Sequence, residues 1–453
     1  MKVITRFAPS PTGYFHAGSY RTALFSYIFA RQQGGRFVLR IEDTDRERSK
    51  KEYEENIVDS LKWLGLDYDD FSRQSDHTAN YRKHIERLIA NSQAFVSAEK
   101  VAAAGERSEV IRFKNPNKVV VFNDLIRGRI EFDTTELGDF VIAKSLDEPV
   151  FHLAVVVDDA ESGITHVIRG EDHISNTPRH ILLYEALGFP VPSYAHIPLL
   201  LATDRSKLSK RNGAIPVTEY RRRGFLPAAV VNYLALLGWH PEDNREVMSF
   251  AEIIKDFSLE RVQKAGAIFD EAKLRWFNRQ YLLQLNEADF SEAVQPFLPE
   301  WLSVKSPVLK RLLPIIKDKI AAFDEVPALF EESGELHFVR SLPAYDLAKL
   351  PWKKSTEPTA TAIKHLTEAK RLLHILADIE FDANTIKDTL WPYAEAQGRG
   401  DVLWPLRIAL TGQDKSPDPF VSAAILGREE SLKRLDSALH RLNTQESQSL
   451  KHG

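Results

Sequence analysis

The sequence predicts an α/β domain that carries a β-rich insertion and continues into an all-α C-terminal region. Three observations predict this fold. Near the N-terminus, short runs of alternating apolar residues are interleaved with segments of helical periodicity. Between residues 93 and 150 the pattern changes to short β-like runs. Beyond residue 214 only helical patterns follow.

The N-terminal region predicts the order strand, loop, helix, strand and helix. A strand at 3–7 precedes a loop rich in proline and glycine and a helix with one apolar face. The pair Gly34-Gly35 predicts the end of that helix, and 36–43 alternates as a second strand. Ser49 and Glu52 have the capping-box spacing of a further helix start. This alternation predicts a parallel sheet with crossover helices.

The rest of the chain predicts strands, then helices. Four runs in the insertion, EVIRFK, KVVVF, GRIEF and DFVIAKS, are typical of strands. We expect strands again at 151–159 (FHLAVVVDD) and within 163–172, followed by a helix with Pro178 as its first residue. One of the helices expected beyond residue 214 is REESLKRLDSALHRL, whose apolar positions 432, 435, 439 and 442 share one face.

Composition bounds the class of protein. The chain has 453 residues, enough for about three domains, and its 43% hydrophobic and 27% charged residues are ordinary for globular proteins. It contains no cysteine, which excludes disulfides, cysteine nucleophiles and thiolate metal sites. The N-terminus lacks the pattern of a signal peptide, and no apolar run reaches the roughly 18 residues of a membrane helix. We expect a cytoplasmic protein. A formal net charge of −4 does not indicate a nucleic-acid binder, so an RNA ligand would need local basic patches.

The stretch APSPTGYFHAGSYRTALF (8–25) predicts an anion site, because a glycine-rich turn before a helix offers free N–H groups and the positive end of the helix dipole. A phosphate-binding P-loop would require lysine where Ser19 stands, and no dinucleotide fingerprint occurs. Two alternatives remain. His16 at the helix start donates to phosphate oxygens, or the stretch is only a turn with an incidental surface histidine.

A second candidate is DRSKLSKRNGA (204–214), a compact loop rich in cations and hydroxyls. Lys207, Lys210 and Arg211 suit a clamp on phosphate groups, although such charge runs are usually solvated loops. Its position after the second α/β segment favours the clamp.

These motifs resemble those of a known family. PSPTGYFHAGS and KLSKR are similar to the HIGH and KMSKS signatures of class I aminoacyl-tRNA synthetases. The resemblance to bacterial-type glutamyl-tRNA synthetases covers nearly the whole chain and rests on several long motifs in order: RFAPSPTG, RTALF, RIEDTDRER, VVVDD, THVIRGEDHISNTPR, NYLALLGW, RVQKAGAIFDEAKLRWFN and LWPLRIALTG.

The resemblance implies a fold and a reaction. It implies a Rossmann-like catalytic domain in two halves (1–92 and 151–213), an inserted acceptor-end-binding module (93–150), a helical stem-contact domain (214–300) and a helical anticodon-binding domain (301–453). It further implies that ATP, with Mg²⁺, activates L-glutamate to glutamyl-adenylate, and that the glutamyl group is transferred to the terminal ribose of tRNA(Glu). Whether tRNA(Gln) is also an acceptor stays open. The family suggests a monomer. Many relatives hold zinc through cysteines in the insertion. Because this chain has no cysteine, we expect no zinc.

The resemblance also assigns residues. A glutamate pocket needs two cationic spots for the carboxylates and one anionic spot for the ammonium, and Arg6, Arg169 and Glu42 suit these roles. The assignments are catalysis by His16, Lys207 and Lys210; glutamate binding by Arg6, Ser10, Glu42, Phe151, Val155 and Arg169; and ATP binding by His16, Gly18, Asp172 and Lys210. The chain departs from the family pattern at three of its positions. Ser19 replaces the second signature histidine, Phe151 a tyrosine found in many relatives, and Val155 an asparagine found in some.

Contacts to tRNA are harder to predict from the sequence. Candidate phosphate contacts are Arg46, Arg48, Arg221 to Arg223, Lys353, Lys354 and Arg399, and candidate base-stacking residues are Trp352, Trp391 and Trp404. The alternative for the lysines and arginines is a solvated helix face, and the alternative for the tryptophans is a core position. The main competing function is a non-catalytic tRNA-binding relative. A glutaminyl enzyme and the short paralogue that modifies a tRNA base fit the motifs and the length less well.

Overall fold

A computed structural model describes residues 2–99, 109–208, 215–303, 305–342 and 344–452, with side chains as far as residue 445. The chain divides into two compact units, Met1–Tyr281 and Leu282–Gly453.

Strands are confined to residues 4–268 in the described chain. They are β1 Ile4–Phe7, β2 Arg36–Ile41, β3 Asp70–Arg73, β4 Ala94–Ala98, β5 Glu109–Phe113, β6 Val119–Asp124, β7 Gly128–Asp133, β8 Phe140–Ser145, β9 Glu148–Pro149, β10 His166–Gly170, β11 Ser193–Ile197, β12 Leu200–Leu201 and β13 Ala267–Ile268. Helices occur throughout. They are α1 Ala17–Gln32, α2 Lys51–Trp63, α3 Thr78–Ala90, α4 Phe151–Glu161, α5 Thr177–Ala186, α6 Val217–Arg222, α7 Pro227–Leu236, α8 Phe250–Asp256, α9 Glu271–Gln284, α10 Glu287–Val294, α11 Pro307–Lys319, α12 Val326–Phe330, α13 Pro358–Ile375, α14 Ala383–Gln397, α15 Arg399–Thr411, α16 Pro419–Leu426 and α17 Arg428–His452.

The first unit is built on a seven-stranded sheet of order β3-β2-β1-β10-β11-β6-β7. Every neighbouring pair is parallel except the hairpin β6–β7, so the predicted parallel sheet with crossover helices is confirmed. The order reverses between β1 and β10, and the carboxyl ends of the central strands meet there. Such a switch point is where open α/β sheets bind ligands.

The predicted β-rich insertion is present, but its strands divide between two sheets. β6 and β7 extend the main sheet beyond β11, where Asp124 pairs with Tyr194. β4, β5, β8 and β9 form a separate antiparallel sheet. Part of the insertion therefore belongs to the same layer as the central strands.

The strand predicted at 151–159 is wrong, because this segment forms the helix α4. All residues from Leu153 to Asp159 are buried, so no polar face interrupts the apolar run. A short continuous apolar run does not distinguish a buried strand from a buried helix. The helix carries Asp158 and Asp159 into the first unit's core, where they meet two buried arginines.

Two smaller expectations are corrected as well. The helix α2 begins at Lys51 after Lys50, so Ser49 does not cap it; instead the Ser49 N–H bonds the carbonyl of Asp45. The region beyond residue 214 is helical apart from the two-residue strand β13, which pairs with β12.

The second unit is helical in the described residues, as expected. Its core packs α13 to α17 around leucines and alanines such as Leu366, Leu390, Leu406 and Leu435. Of the face predicted on α17, Leu435 and Leu442 are buried, while Leu432 and Leu439 pack partly buried against the same core. No helix among the described residues is long and apolar enough to cross a membrane.

Candidate active site

The described candidate residues of the amino-acid and ATP sites line one cavity of about 560 Å³. The ten residues that share it are Arg6, Ser10, His16, Gly18, Glu42, Phe151, Val155, Arg169, Asp172 and Lys207. The cavity lies at the carboxyl ends of β1, β2, β10 and β11, as expected for an open parallel sheet. Lys210 and Arg211 lie outside the described residues.

The loop after β1 is fixed by its own carbonyl groups. Pro9 accepts a hydrogen bond from the N–H of Glu42 at 2.9 Å, and Pro11 accepts one from the N–H of Lys50 at 3.0 Å. His16 then forms the N-cap of α1 in an extended conformation. A Cβ atom on Gly18 would stand 3.3 Å from Cε1 of His16, so this glycine leaves room for the imidazole. The helix start, the histidine and the cavity therefore occupy one place.

The first signature segment contacts the chain just after the second one. His16 forms an isolated antiparallel bridge with Pro216, and the N–H of Val217 bonds the carbonyl of Phe15 at 3.2 Å. On the near side of the second segment, Nζ of Lys207 lies 3.0 Å from Oδ2 of Asp172. Burial acts to raise the pKa of Asp172, but the bond from Lys207 and the charges of His173 and Lys207 together outweigh it, and the pKa lies below its ordinary value.

A buried charge cluster, formed by Arg6, Arg40, Glu42, Asp158 and Asp159, lies beside the cavity. Oδ1 of Asp159 accepts from Nε of Arg6 at 3.2 Å and from Nη1 of Arg40 at 2.7 Å. Nη2 of Arg40 donates to Glu42 at 3.2 Å. Every member is at most 6% exposed, so their charges are compensated mainly by one another.

Glu42 has an unusual protonation equilibrium. Its burial raises the pKa to about 7, although the nearby guanidinium groups of Arg40 and Arg6 act in the opposite direction. Burial also opposes ionisation of Asp159, but there the two arginines prevail and its pKa is below its ordinary value. Glu42 therefore changes charge near neutral pH, whereas Asp159 stays ionised.

Asp158 faces away from the cavity side of the cluster. Its carboxylate accepts from the hydroxyl of Tyr81 at 2.8 Å, from the amide of Gln74 at 2.9 Å, and lies 2.8 Å from Nδ1 of His77. Sequence reasoning assigned no role to Asp158, Asp159 or Arg40. The consecutive aspartates in an apolar run were the available signal, because carboxylates are rarely buried without partners.

Arg169 is surrounded by hydrogen-bond acceptors. Its Nη2 donates to Thr177 Oγ1 at 2.7 Å and to the carbonyl of His173 at 3.3 Å, its Nη1 to Nδ1 of His180 at 3.3 Å, and its Nε to Nε2 of His196 at 3.1 Å. These contacts use four of the five guanidinium N–H groups and leave one on Nη1. Burial lowers the pKa of Arg169 to about 10, so it remains a cation at neutral pH.

Histidines that sequence reasoning missed form much of this environment. Nδ1 of His152 lies 3.2 Å from Nε2 of His180. Burial, followed by the charge of Arg169 or Arg179, lowers the pKa of His152 and His173 to about 4, and the pKa of His180 well below its ordinary value. These rings are therefore neutral at pH 7. Each stands alone in the sequence, so no local spacing marked them as a group.

Two of the three departures from the family pattern, Phe151 and Val155, form the apolar side of the cavity, and the third, Ser19, also lines it. Phe151 packs its ring against His173 and His180, with centroid distances of 5.8 and 5.7 Å. Val155 is 2% exposed and Ser10 is exposed at the cavity mouth. The wall therefore presents carbon where a tyrosine and an asparagine would present polar groups.

Most candidate tRNA contacts occupy ordinary surface positions. Arg48 pairs with Asp45, Arg221 with Asp59, Arg222 with Glu219, Arg223 with Glu271 and Arg399 with Glu395. Arg46 and Arg48 line a second cavity of about 720 Å³. Lys353 and Lys354 are exposed.

The three candidate tryptophans, Trp352, Trp391 and Trp404, are half-buried. The guanidinium of Arg399 lies 4.6 Å from the ring centre of Trp391, and Trp352 packs against Trp404 at 5.5 Å.

Among the residues with described side chains, no group of three or more histidine, aspartate and glutamate residues is arranged to hold a metal ion.

Two family models match this chain. The model described as "tRNA synthetases class I (E and Q), catalytic domain" matches residues 2–103 and 97–276. The model described as "Anticodon binding domain" matches residues 289–439.

Individual proteins are similar over almost the whole length. The glutamate--tRNA ligase of Aquifex aeolicus is 41% identical, covering 98% of this chain and 100% of that protein. The glutamate--tRNA ligase of Sulfurihydrogenibium sp. is 40% identical, covering 96% and 98%. Among solved structures, a glutamate tRNA ligase from Elizabethkingia meningosepticum in complex with its amino acid has a TM-score of 0.86 at 31% identity, covering 98% of this chain and 100% of that one. The glutamate-tRNA synthetase of Elizabethkingia anophelis has a TM-score of 0.84, also at 31% identity, covering 97% and 100%.

Proposed function

Because the chain belongs to the class I tRNA synthetases for glutamate and glutamine, we propose that it is a glutamate--tRNA ligase that works in the cavity described above. The observation that carries the proposal is the convergence of ten candidate residues, from both α/β halves, on that one cavity. ATP and L-glutamate are the substrates of the first step, and tRNA is the substrate of the second.

The charges around the cavity suit glutamate. Arg6 and Arg169 are cations for its two carboxylates, and Glu42 is an anion for its ammonium group. Arg169 has one N–H left by its protein partners, so we infer that it binds a carboxylate through a single charge-assisted bond rather than as a fork. Phe151 and Val155 add no hydrogen bond, which leaves recognition to the charged groups and Ser10.

The first step joins glutamate to AMP. An oxygen of the α-carboxylate attacks the α-phosphorus of ATP, the bond to the β-phosphate breaks, and pyrophosphate leaves with the electron pair. We propose that His16 donates to the α-phosphate oxygens at the start of α1, where the helix dipole also favours negative charge. Gly18 and Asp172 would contact the nucleotide.

The second signature segment would hold the leaving group. We propose that Lys207 moves from Asp172 to the β- and γ-phosphates when ATP binds, with Lys210, outside the described residues, as the second clamp. Mg²⁺ would enter with ATP as part of that substrate. The residues act electrostatically, so no covalent enzyme intermediate is required.

The second step uses the tRNA. A hydroxyl of its terminal ribose attacks the carbonyl carbon of glutamyl-adenylate, AMP leaves, and an ester forms. The region matched by the anticodon-binding model, 289–439, supports tRNA as the acceptor. Trp352, Trp391 and Trp404, together with Arg399, Lys353 and Lys354, remain our candidates for contacts there. Arg46, Arg48 and Arg221 to Arg223 remain candidates for contacts nearer the acceptor end. We propose a monomer.

The test is the charging of purified tRNA(Glu) and tRNA(Gln) with labelled glutamate and ATP. Charging of tRNA(Glu) alone supports a discriminating ligase, and charging of both supports a relaxed one. Binding of tRNA without charging of either would overturn the proposal in favour of a non-catalytic tRNA-binding protein. Labelled glutamine and aspartate serve as controls, because glutamine lacks the side-chain carboxylate and aspartate carries it on a side chain that is one methylene shorter.

A further inference from the structure

A buried chain of three side chains connects the inserted segment to Arg169. Asp124 ends β6, His196 lies in β11 and Arg169 lies in β10, and they are 4%, 0% and 6% exposed. The sheet register brings them side by side, since Arg169 pairs with His196 and Asp124 pairs with Tyr194. Their proximity is therefore a property of the sheet and not of a loop conformation.

The partners of His196 determine which of its nitrogens carries the proton. Nε2 lies 3.1 Å from Nε of Arg169, and Nδ1 lies 2.6 Å from Oδ2 of Asp124. An arginine side chain only donates, so Nε2 accepts and the proton of the neutral ring is on Nδ1. Thr177 Oγ1 lies 3.2 Å from the same Nε2 and 3.3 Å from the carbonyl of His173, and its single proton can be donated to either of these acceptors. The Asp124 carboxylate thus keeps the proton of His196 on Nδ1, and this leaves Nε2 as the acceptor for the Arg169 guanidinium.

Asp124 is itself held by the main chain. Oδ1 accepts from the N–H groups of Arg127 at 2.8 Å and Ile126 at 3.0 Å, and Oδ2 accepts from the N–H of His196 at 3.1 Å. Burial opposes ionisation, but the bonds from His196 and these N–H groups lower the pKa of Asp124 below its ordinary value. Burial lowers the pKa of His196, so the pair is carboxylate and neutral imidazole at pH 7.

The Asp124–His196 pair fixes one edge of the Arg169 guanidinium. His196 holds Nε, while Thr177 and the carbonyl of His173 hold Nη2. Without an acceptor at Nε2 of His196, the guanidinium would keep its contacts on Nη1 and Nη2 but lose the one at Nε, where two N–H donors would face each other. That repulsion would displace the guanidinium, and with it the remaining N–H on Nη1.

We propose that Asp124 is a positioning residue for glutamate binding, because it fixes the tautomer of His196 that orients Arg169. The inserted segment thereby completes the amino-acid site. This inference rests on the proposed function, since the orientation of Arg169 matters only if Arg169 binds a substrate carboxylate.

The first test uses the intact wild-type chain and needs no activity. With ¹⁵N-labelled histidine, long-range ¹H–¹⁵N correlation spectra at pH 7 distinguish a proton on Nδ1 from one on Nε2, and the variant His196→Gln assigns the signal. A neutral ring protonated on Nδ1 is expected. A proton on Nε2, or a doubly protonated ring, would overturn the inference.

The second test is Asp124→Asn. An asparagine brings an NH₂ group to a site where four N–H donors already converge. The ring is then expected to move its proton to Nε2, which repels Nε of Arg169. We expect the KM for glutamate to rise about 10- to 100-fold while the KM for ATP and kcat change less than about threefold.

The matched control is Asp133→Asn, on the exposed neighbouring strand β7. Asparagine caps the turn that follows as well as aspartate does, so wild-type kinetics are expected. An unchanged KM for glutamate in Asp124→Asn would overturn the inference, as would an equal rise in both KM values. If Asp124→Asn does not fold, the wild-type tautomer decides alone. If the wild-type enzyme charges no tRNA, the proposed function fails while the tautomer result still stands.

Discussion

The buried carboxyl group of Glu42 should make glutamate binding depend on pH around neutrality. Its pKa of about 7 lies above the ordinary carboxyl range, so below pH 7 the neutral form predominates. The ammonium group of the substrate then loses its anionic partner. The ionised fraction rises from about 0.09 at pH 6 to about 0.91 at pH 8, so kcat/KM for glutamate should rise about tenfold over this range.

Other groups near Glu42 do not account for such a rise. Arg40 has a pKa above its ordinary value and Asp159 has one below it, so both keep their charge from pH 6 to 8. His152 and His173, with pKa values of about 4, are neutral throughout this range. The expected profile therefore belongs to Glu42.

The assay is the initial rate of tRNA charging at limiting glutamate, with saturating ATP and tRNA, from pH 6 to 8. The variant Glu42→Gln should charge about 10- to 100-fold more slowly at pH 8, because it loses a charge-assisted bond to the ammonium, and its profile should be flat. Glu47→Gln, an exposed glutamate in the same loop, is the control and should retain the wild-type rise. A flat wild-type profile, or the same rise in Glu42→Gln, would refute the reasoning.

Three further variants test other parts of the site. Asp159→Asn removes the carboxylate that bridges two buried arginines; it should lower the free energy of unfolding by about 3–5 kcal/mol, measured by urea denaturation, and a loss below 1 kcal/mol would contradict the buried cluster. Gly18→Ala places a Cβ 3.3 Å from the imidazole of His16; we expect a higher KM for ATP and a lower kcat with an unchanged KM for glutamate, and wild-type kinetics would show that the space is not needed. Lys207→Ala should lower kcat about 10²- to 10³-fold without altering glutamate affinity. The control is Arg205→Ala in the same loop, and if it lowers kcat more than Lys207→Ala does, Lys207 is not part of the phosphate clamp.

The sequence was sufficient for the family and the fold class, and both predictions are confirmed. Among the long motifs that carried this result, RFAPSPTG, RIEDTDRER and THVIRGEDHISNTPR each span the end of a strand and the loop after it. Glu42 follows β2 and Arg169 closes β10, and in a parallel sheet these ends meet at one edge. The convergence of distant motifs on one cavity follows from that geometry.

The helix α4 shows where local patterns stop being informative. Its valine run favours a strand by propensity, yet the segment is helical and buried on all sides from Leu153 to Asp159. The helix is stabilised by what it packs against, including the pairing of Asp159 with two arginines that are far away in sequence. Such long-range pairing leaves no local signal of secondary structure.

The histidines around Arg169 were missed for a related reason. His196 stands within the apolar run YAHIPLL, where a lone polar residue indicates a buried partner without identifying it. Its partners Asp124 and Arg169 come from two other strands and are brought together by register. Spacing along the chain cannot reveal a cluster that only the sheet assembles.

The entry of β6 and β7 into the main sheet limits how this protein can be shortened or recombined. A trimmed chain that joins β4 directly to α4 would retain every signature motif, and by sequence it would look like a minimal enzyme. Its sheet, however, would end at β11 with unpaired N–H and carbonyl groups along a new open edge. A chimera between relatives should therefore exchange the β6–β7 hairpin together with β10 and β11, because these four strands are neighbours in one sheet and pair with one another.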